Sequence, residues 1–313
     1  MPKRIKPLYP TGVDYRTKGD VWSKNQMHNQ VNDWKKMGIE RVMAAGKDYA
    51  KFSCAIITIM DDASSIAGAR RLLQSIKNTN SHLEPSIIPA TTPSTLFKEM
   101  SDHGFVRTDW RWPSQPFETK IDMQTGMKMT GYNAKNVDKV IACFMSHYKC
   151  WRYCAMTGYT TIIFEHDAIL TRSIKVNKIF DFLNDGGRNL SPASITRGYD
   201  IVGLNSPIGA TRNSGVYLRK VQEEYTKHGY KPGTRNNVCA APWVDTDITV
   251  PQGLAGNSAY ILTSKGAAAL LRKVEEVGIW PNDALMCRQF FPNLKQAYPF
   301  YTKVQGTEST TRT

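Results

Sequence analysis

The residues best placed to do chemistry lie in one short stretch, TTIIFEHDAIL, residues 160 to 170. Ile162, Ile163 and Phe164 read as the end of a buried strand, and two carboxylates, Glu165 and Asp167, meet it with His166 between them. On a strand, residues two apart share a side, so the two acids face one spot and His166 faces away from it. At the carboxyl end of a central strand that spot is the crevice in which α/β sheets bind ligands. Two carboxylates so close repel each other unless a cation sits between them. A hard divalent ion such as Mn²⁺ or Mg²⁺ takes oxygen ligands and readily adds diphosphate oxygens to its shell. There it neutralises charge on a departing nucleoside diphosphate. The other reading of the pair is a solvated strand end with an incidental salt bridge.

Elements on both sides must position that pair. Cys54 to Met60 form a strand stopped by Asp61 and Asp62, and SSIAGARRLLQSIKN follows as a helix with Ser64 or Ser65 as its cap. SIIPATTP supplies a second strand, and the series suggests a parallel crossover unit. A helix runs from about Val137 to Met156, entered at Asn136 or Asp138 and closed at Gly158, with Val140, Phe144, Tyr148 and Trp151 on its buried face. The acidic strand follows at once. YDIVGLNS, Tyr199 to Ser206, is another strand, and NSAYILTSKGAAALLRKVEEVG gives a strand, a Ser264 cap and a helix ending at Gly278.

The segments 102–133 and 207–245 read as long irregular loops, and loops of that length inside a domain are often functional. In the first, Trp110 and Trp112 are candidates to stack on a sugar or base of the acceptor, or to anchor the loop. Residues 1–50 form a basic N-terminal extension bearing Trp22 and Trp34 and one short helix, NDWKKMGIERVMAAG. Residues 51–313 are expected to form a single α/β domain.

A formal net charge of +14 favours an anionic partner: nucleic acid, anionic lipid headgroups, or phosphorylated glycans and nucleotides. No apolar run approaches the roughly 20 residues that span a bilayer, and the basic start MPKRIKPLYPTG has no apolar stretch behind it. A cytoplasmic protein is expected, with peripheral membrane contact left open. Cys143, Cys150 and Cys154 share a helix with His147, but one rigid helix offers only about two ligands to a tetrahedral ion, so core packing is the favoured reading.

The run IACFMSHYKCWRYCAMTGYTTIIFEHDAIL, residues 141 to 170, resembles the core of glycosyltransferase family 25, which includes lipooligosaccharide and collagen galactosyltransferases. AIITIMDDASSIAGARRLLQSI looks like that family's opening element, with Arg70 or Arg71 in its basic position. PATTP, GLAGNSAYILTSKGAAALL, IWPNDALM and the ending YPFYTKVQGTESTT are also similar to its blocks. The resemblance implies a GT-A-like nucleotide-sugar fold and metal-dependent, inverting transfer from a UDP-sugar. It places Asp283 in the family's late acidic element as candidate general base. Asp245 and Asp247 in PWVDTDI are rivals, able to act as base or as a second acidic metal motif. Arg70 and Arg71 are candidates to meet the diphosphate, and His147 to contact the nucleotide, against surface ion pairing and a satisfied helix histidine respectively. The family usually carries an acid where this chain has His166.

The acceptor stays open at this point. Residues 209–238 interleave Arg212, Arg219, Lys220, Lys227, Lys231 and Arg235 with Tyr217, Tyr225 and Tyr230. Basic residues alternating with aromatics suit a phosphate backbone and its bases, as in an enzyme that sugars hydroxymethylated DNA. A lipooligosaccharide core fits the charge equally. The alternative of another class is a non-catalytic nucleic-acid-binding protein on a transferase scaffold, with His166 as the mark of decay.

Overall fold

Five strands pointing one way and two pointing the other build the central sheet, in the order β2-β1-β5-β9-β7-β10-β8. The computed structural model describes residues 52–175, 200–210, 213–227, 237–254 and 256–306. The strands are β1 (Phe52–Thr58), β2 (Ser86–Pro89), β5 (Thr160–Glu165), β7 (Ile201–Gly203), β8 (Asn237–Ala240), β9 (Ala259–Leu262) and β10 (Lys295–Tyr298). Two small antiparallel pairs stand apart: β3 (Thr119–Ile121) with β4 (Lys128–Thr130), and β6 (Ala168–Leu170) with β11 (Thr302–Val304). The helices are α1 (Ala63–Asn78), α2 (Leu96–Asp102), α3 (Val137–Thr157), α4 (Ser214–Lys227), α5 (Ser264–Val277) and the single turn α6 (Asn282–Leu285).

The expected crossover holds: β1 and β2 pair in parallel, with α1 between them in the chain. Both faces of the sheet are covered, which is why its strands read as continuous apolar runs. On β5, Ile163 joins the core built with α3 and α5, while Ile162 and Phe164 join the core built with α1 and β6. The stripe foreseen on α3 is buried, with Phe144, Tyr148 and Trp151 at 0% exposure.

Several local expectations are corrected. Asp62, not Ser64 or Ser65, caps α1, its Oδ1 accepting from the Ser64 and Ser65 N–H groups at 2.7 and 3.4 Å. The helix starts at Ala63, so the cap falls on Asp62, whose carboxylate reaches the N–H groups two and three residues on. Thr263, not Ser264, caps α5 by accepting from the Gly266 N–H at 3.0 Å. The segment 207–245 is not one irregular loop, because α4 and β8 lie inside it. Its tyrosines mark the buried stripe of α4: Tyr217, Val221 and Tyr225 recur every fourth residue and all are buried. Segment 102–133 likewise holds the β3–β4 hairpin. The extension 1–50 with its helix, Trp22 and Trp34, and Tyr199, Arg212, Tyr230, Lys231 and Arg235, lie outside the described residues. Among the described residues no helix is long and apolar enough to cross a membrane.

Candidate active site

β5 delivers the first acid in register. It runs parallel to β1, with Ile57 beside Glu165, and its last N–H, that of Glu165, donates to the Ser258 carbonyl at 2.8 Å. The strand ends there, and His166 and Asp167 form a turn into β6. Strand alternation therefore does not place Asp167; the turn does. The turn is held from far away in sequence. The Gln305 N–H donates to the Asp167 carbonyl at 2.8 Å, and the Gln305 side-chain amide donates to the carbonyls of Ala168, Gly68 and His166 at 2.8, 3.0 and 3.2 Å. α1 can approach this turn only because residue 68 is glycine. A Cβ there would sit 2.8 Å from the His166 carbonyl oxygen and 3.3 Å from its ring. His166 thus packs against α1.

The two acids sense each other, and only Glu165 is met by a basic side chain, that of His147. Burial, then the charge of Glu165, pushes the Asp167 carboxyl up to about 7. Burial also raises Glu165, but the hydrogen bond and charge of His147, helped by His166, outweigh it and hold Glu165 below its ordinary value. Asp167 Oδ1 is buried with no hydrogen-bond partner. Among the described residues no Lys or Arg pairs with Glu165, Asp167 or Asp283. All three carboxylates act on the Cys143 thiol, which burial first and then their charges push well above its usual range. The start of β9, beside Glu165, adds more unmet groups: the Ser258 hydroxyl and both side-chain atoms of Asn257 are buried without partners. Unsatisfied buried polar atoms are rare enough that several at one sheet end point to a missing ligand.

His147 is placed differently from the expectation that it touches a nucleotide. Its side chain is 1% exposed against 27% for Glu165. Nε2 meets Glu165 Oε1 at 2.9 Å and Nδ1 meets the Tyr260 hydroxyl at 2.8 Å, so both ring nitrogens are occupied inside the protein. Cys143 Sγ lies near the same atoms and could complete a three-ligand cluster with His147 and Glu165. Cys150 and Cys154 are buried in the core with α3, as the packing reading expected.

Asp283 sits on α6 at the wall of an open cleft of about 290 Å³, which Trp112, Lys128, Tyr132, Asp245 and Gln252 also line. Its Oδ1 accepts from the Tyr132 hydroxyl at 2.6 Å and the Ala284 N–H at 2.9 Å. Burial raises its carboxyl, Tyr132 offsets part of that, and Glu165 adds to the rise, so the cleft and the acidic turn are electrostatically one region. Gly253 permits this packing: a Cβ there would lie 2.7 Å from the Asp283 carbonyl oxygen.

The second D-x-D is a different object. Asp245 is exposed and accepts the Asp247 N–H at 2.9 Å, while Asp247 accepts the Thr249 N–H and hydroxyl at 3.0 and 2.6 Å and faces Lys128 at 3.6 Å. Asp245 borders the cleft, but the pair caps its own turn. The two tryptophans are mainly anchors. Trp112 is buried and donates to the Thr130 carbonyl at 2.9 Å, and Trp110 is buried beside Ile279. Arg70 and Arg71 are both exposed on α1, and Arg71 Nε donates to Gln305 Oε1. On α4, Arg219 is exposed and Lys220 donates to the Trp243 carbonyl. Tyr132, Gln305, Asn257 and Ser258 carried no sequence signal of their own, being single polar residues outside any spaced motif.

A mostly parallel sheet clothed by helices, with two acids at the carboxyl end of a central strand, is consistent with a GT-A-like α/β fold. Residues 67–194, less than half of the chain, match the model of glycosyltransferase family 25, described as LPS biosynthesis protein. That segment, from within α1 through the acidic turn and beyond, is similar to that family, and the match supports a glycosyltransferase enzyme. No curated protein matches the chain.

Proposed function

We propose that this enzyme moves a sugar from a UDP-sugar to a hydroxyl of a phosphorylated glycan of the lipooligosaccharide-core type, with inversion and with a divalent cation. The observation that carries the reading is the Asp167 carboxylate, buried beside Glu165 with an oxygen that no protein group meets. The residues fit a hard cation: two carboxylates close together, Asp167 raised by burial and by the charge of Glu165, with no lysine or arginine pairing with either among the described residues. Glu165 and Asp167 would hold Mn²⁺ or Mg²⁺, and what such an ion supplies is neutralisation of charge on the leaving diphosphate.

The remaining work falls to the chain's own groups. Asp283 Oδ1 is engaged by Tyr132 and Ala284, and the residue borders the cleft, where its carboxylate would take the proton of an acceptor hydroxyl. Burial raises its carboxyl, the direction that makes a carboxylate a stronger base. Asn257 and Ser258 bring unmet donors and acceptors to the same sheet end, the set that sugar hydroxyls require.

Two findings favour the glycan over DNA. The matched family is described by LPS biosynthesis, and the tyrosines at 217 and 225, which suggested base stacking, are core residues. The non-catalytic alternative loses its motive, since His166 turns onto α1 rather than into the acids. The test is UDP release with Mn²⁺, with and without chelator, offering a lipooligosaccharide core beside hydroxymethylated DNA. Label on the glycan, abolished by chelator, is expected. Release that persists in chelator would overturn the cation reading, and label on DNA alone would overturn the acceptor.

A further inference from the structure

The cleft beside Asp283 has one wall built by the β3–β4 hairpin. Lys128 and Thr130 are two apart on β4, so they share a face, and both line the cleft. Met129 between them takes the other face and is buried in the core, which anchors the hairpin. A second wall runs through 242–254. The Lys128 N–H donates to the Thr249 carbonyl at 2.9 Å and ties the two walls together. Gln252 braces the second wall: its side-chain oxygen accepts from the Asp245 N–H at 2.8 Å, and its amide donates to the Asp245 carbonyl at 3.0 Å. Tyr132, two residues past Thr130, also lines the cleft. It is 38% exposed, packs against the buried Trp112 with ring centroids 6.3 Å apart, and donates to Asp283 Oδ1 at 2.6 Å. A partly exposed aromatic ring, backed and tethered, therefore stands beside the candidate base.

The charge of this cleft runs against that of the chain. The whole protein carries +14, yet among the described residues the cleft is lined by two acids, Asp245 and Asp283, and one base, Lys128. The Lys128 ammonium already faces Asp247 at 3.6 Å, so it offers little unshared charge to an incoming anion. A phosphate entering here would meet carboxylates in excess. An uncharged sugar ring meets the groups it needs: its hydroxyls donate to carboxylates, and its C–H face packs on an aromatic ring. Neither Glu165 nor Asp167 is among the lining residues, so the diphosphate end of the reaction lies apart from this cleft. We infer that the cleft is the acceptor subsite and that the ring it takes is an uncharged pyranose, with Tyr132 as the surface on which the ring lies and Asp245 as an acceptor for its hydroxyls. The inference rests on the reading of Asp283 as the base, which puts the accepting hydroxyl in this cleft. It narrows the substrate as well. The sugar that receives the transfer is a phosphate-free residue, and the phosphate of the glycan stays outside the cleft.

Binding can be read without turnover. The full chain, free of donor and of divalent ions, is titrated with a phosphorylated lipooligosaccharide-core oligosaccharide by calorimetry, and the bound rings are mapped by saturation-transfer NMR, with melting curves alongside. The strongest saturation is expected on a ring that bears no phosphate. Tyr132→Ala is expected to bind about tenfold more weakly, and Tyr132→Phe, which keeps the ring and loses the hydroxyl, to recover most of that loss. Asp245→Asn gives a test of sign. It keeps the oxygen that accepts the Asp247 N–H and removes the charge. A neutral ring in the cleft should bind about threefold more weakly to it, because a charge-assisted hydrogen bond becomes an ordinary one. A phosphate in the cleft would bind it more tightly. Tighter binding to Asp245→Asn overturns the inference, as does saturation centred on a phosphorylated ring, full binding by Tyr132→Ala, or a core that does not bind at all. A core that binds as expected yet receives no sugar from any UDP-sugar overturns the transfer reading and leaves the subsite standing.

Discussion

The chain contains two acid-x-acid stretches, and the structure treats them in opposite ways. At 165–167 the carboxylates are brought together by a turn that other elements clamp, and one oxygen is left with no partner. At 245–247 the same spacing sits on an exposed segment, and each acid accepts hydrogen bonds from residues two further on. The first pair carries unresolved charge repulsion, visible as an Asp167 carboxyl raised to about 7. The second has Asp247 held below its usual range, first by the Thr249 hydroxyl and also by Lys128. Spacing alone therefore does not make a cation site. What distinguishes the two is whether the protein itself satisfies the carboxylates.

The sharpest way to break that comparison is to remove one acid from each stretch. Asp167→Ala is expected to lower turnover by at least about a hundredfold in a UDP-release assay, the scale on which lost charge stabilisation is felt. Asp283→Asn should follow closely, with kcat down by about a hundredfold and donor binding little changed, as for a lost general base. A loss confined to KM would remove Asp283 from that role. Gln305→Ala tests the clamp rather than the acids. It removes four side-chain contacts made to Gly68, His166, Ala168 and Arg71, and a displaced turn is expected to reduce kcat/KM by about tenfold. Full activity in Gln305→Ala would mean the turn holds its shape without the clamp.

The same contrast predicts a pH effect of defined sign. A carboxyl whose folded value is raised gives stability that is fully present below its unfolded value, near 4, and is lost as pH rises through about 7. In ion-free protein, Asp167→Asn should therefore raise stability at pH 8 by roughly 1–3 kcal/mol, and make no difference at pH 4. Denaturation curves at the two pH values check this. A variant that is more stable and nearly inactive would show that Asp167 is kept at a cost to the fold.

Much of this was legible in the sequence because it is local. The apolar run into Glu165, the stripe Val140–Phe144–Tyr148–Trp151 and the β1–α1–β2 crossover are periodic patterns, and periodicity fixes which face is buried. What was hidden is what arrives from elsewhere. Gln305 reaches the acidic turn across 138 residues of chain, Tyr132 reaches Asp283 across 151, and Tyr260 reaches His147 across 113. No spacing rule encodes such a meeting. The basic, tyrosine-rich segment misled for the opposite reason. Its Tyr217–Val221–Tyr225 pattern is the buried stripe of α4, but the flanking glycines and lysines drew the eye to a loop.

The smallest expected effect closes the comparison. Asp247→Ala removes two hydrogen bonds to Thr249 and a contact with Lys128 on β4. The carboxylate is largely solvated, so its pairing with Lys128 adds little, and the local turn bonds account for most of any loss. Melting should fall only slightly, with UDP release within about twofold of wild type. Were Asp247→Ala instead to match the defect of Asp167→Ala, the satisfied pair would be the working one. An unmet carboxylate oxygen would then be no guide to where this enzyme handles charge.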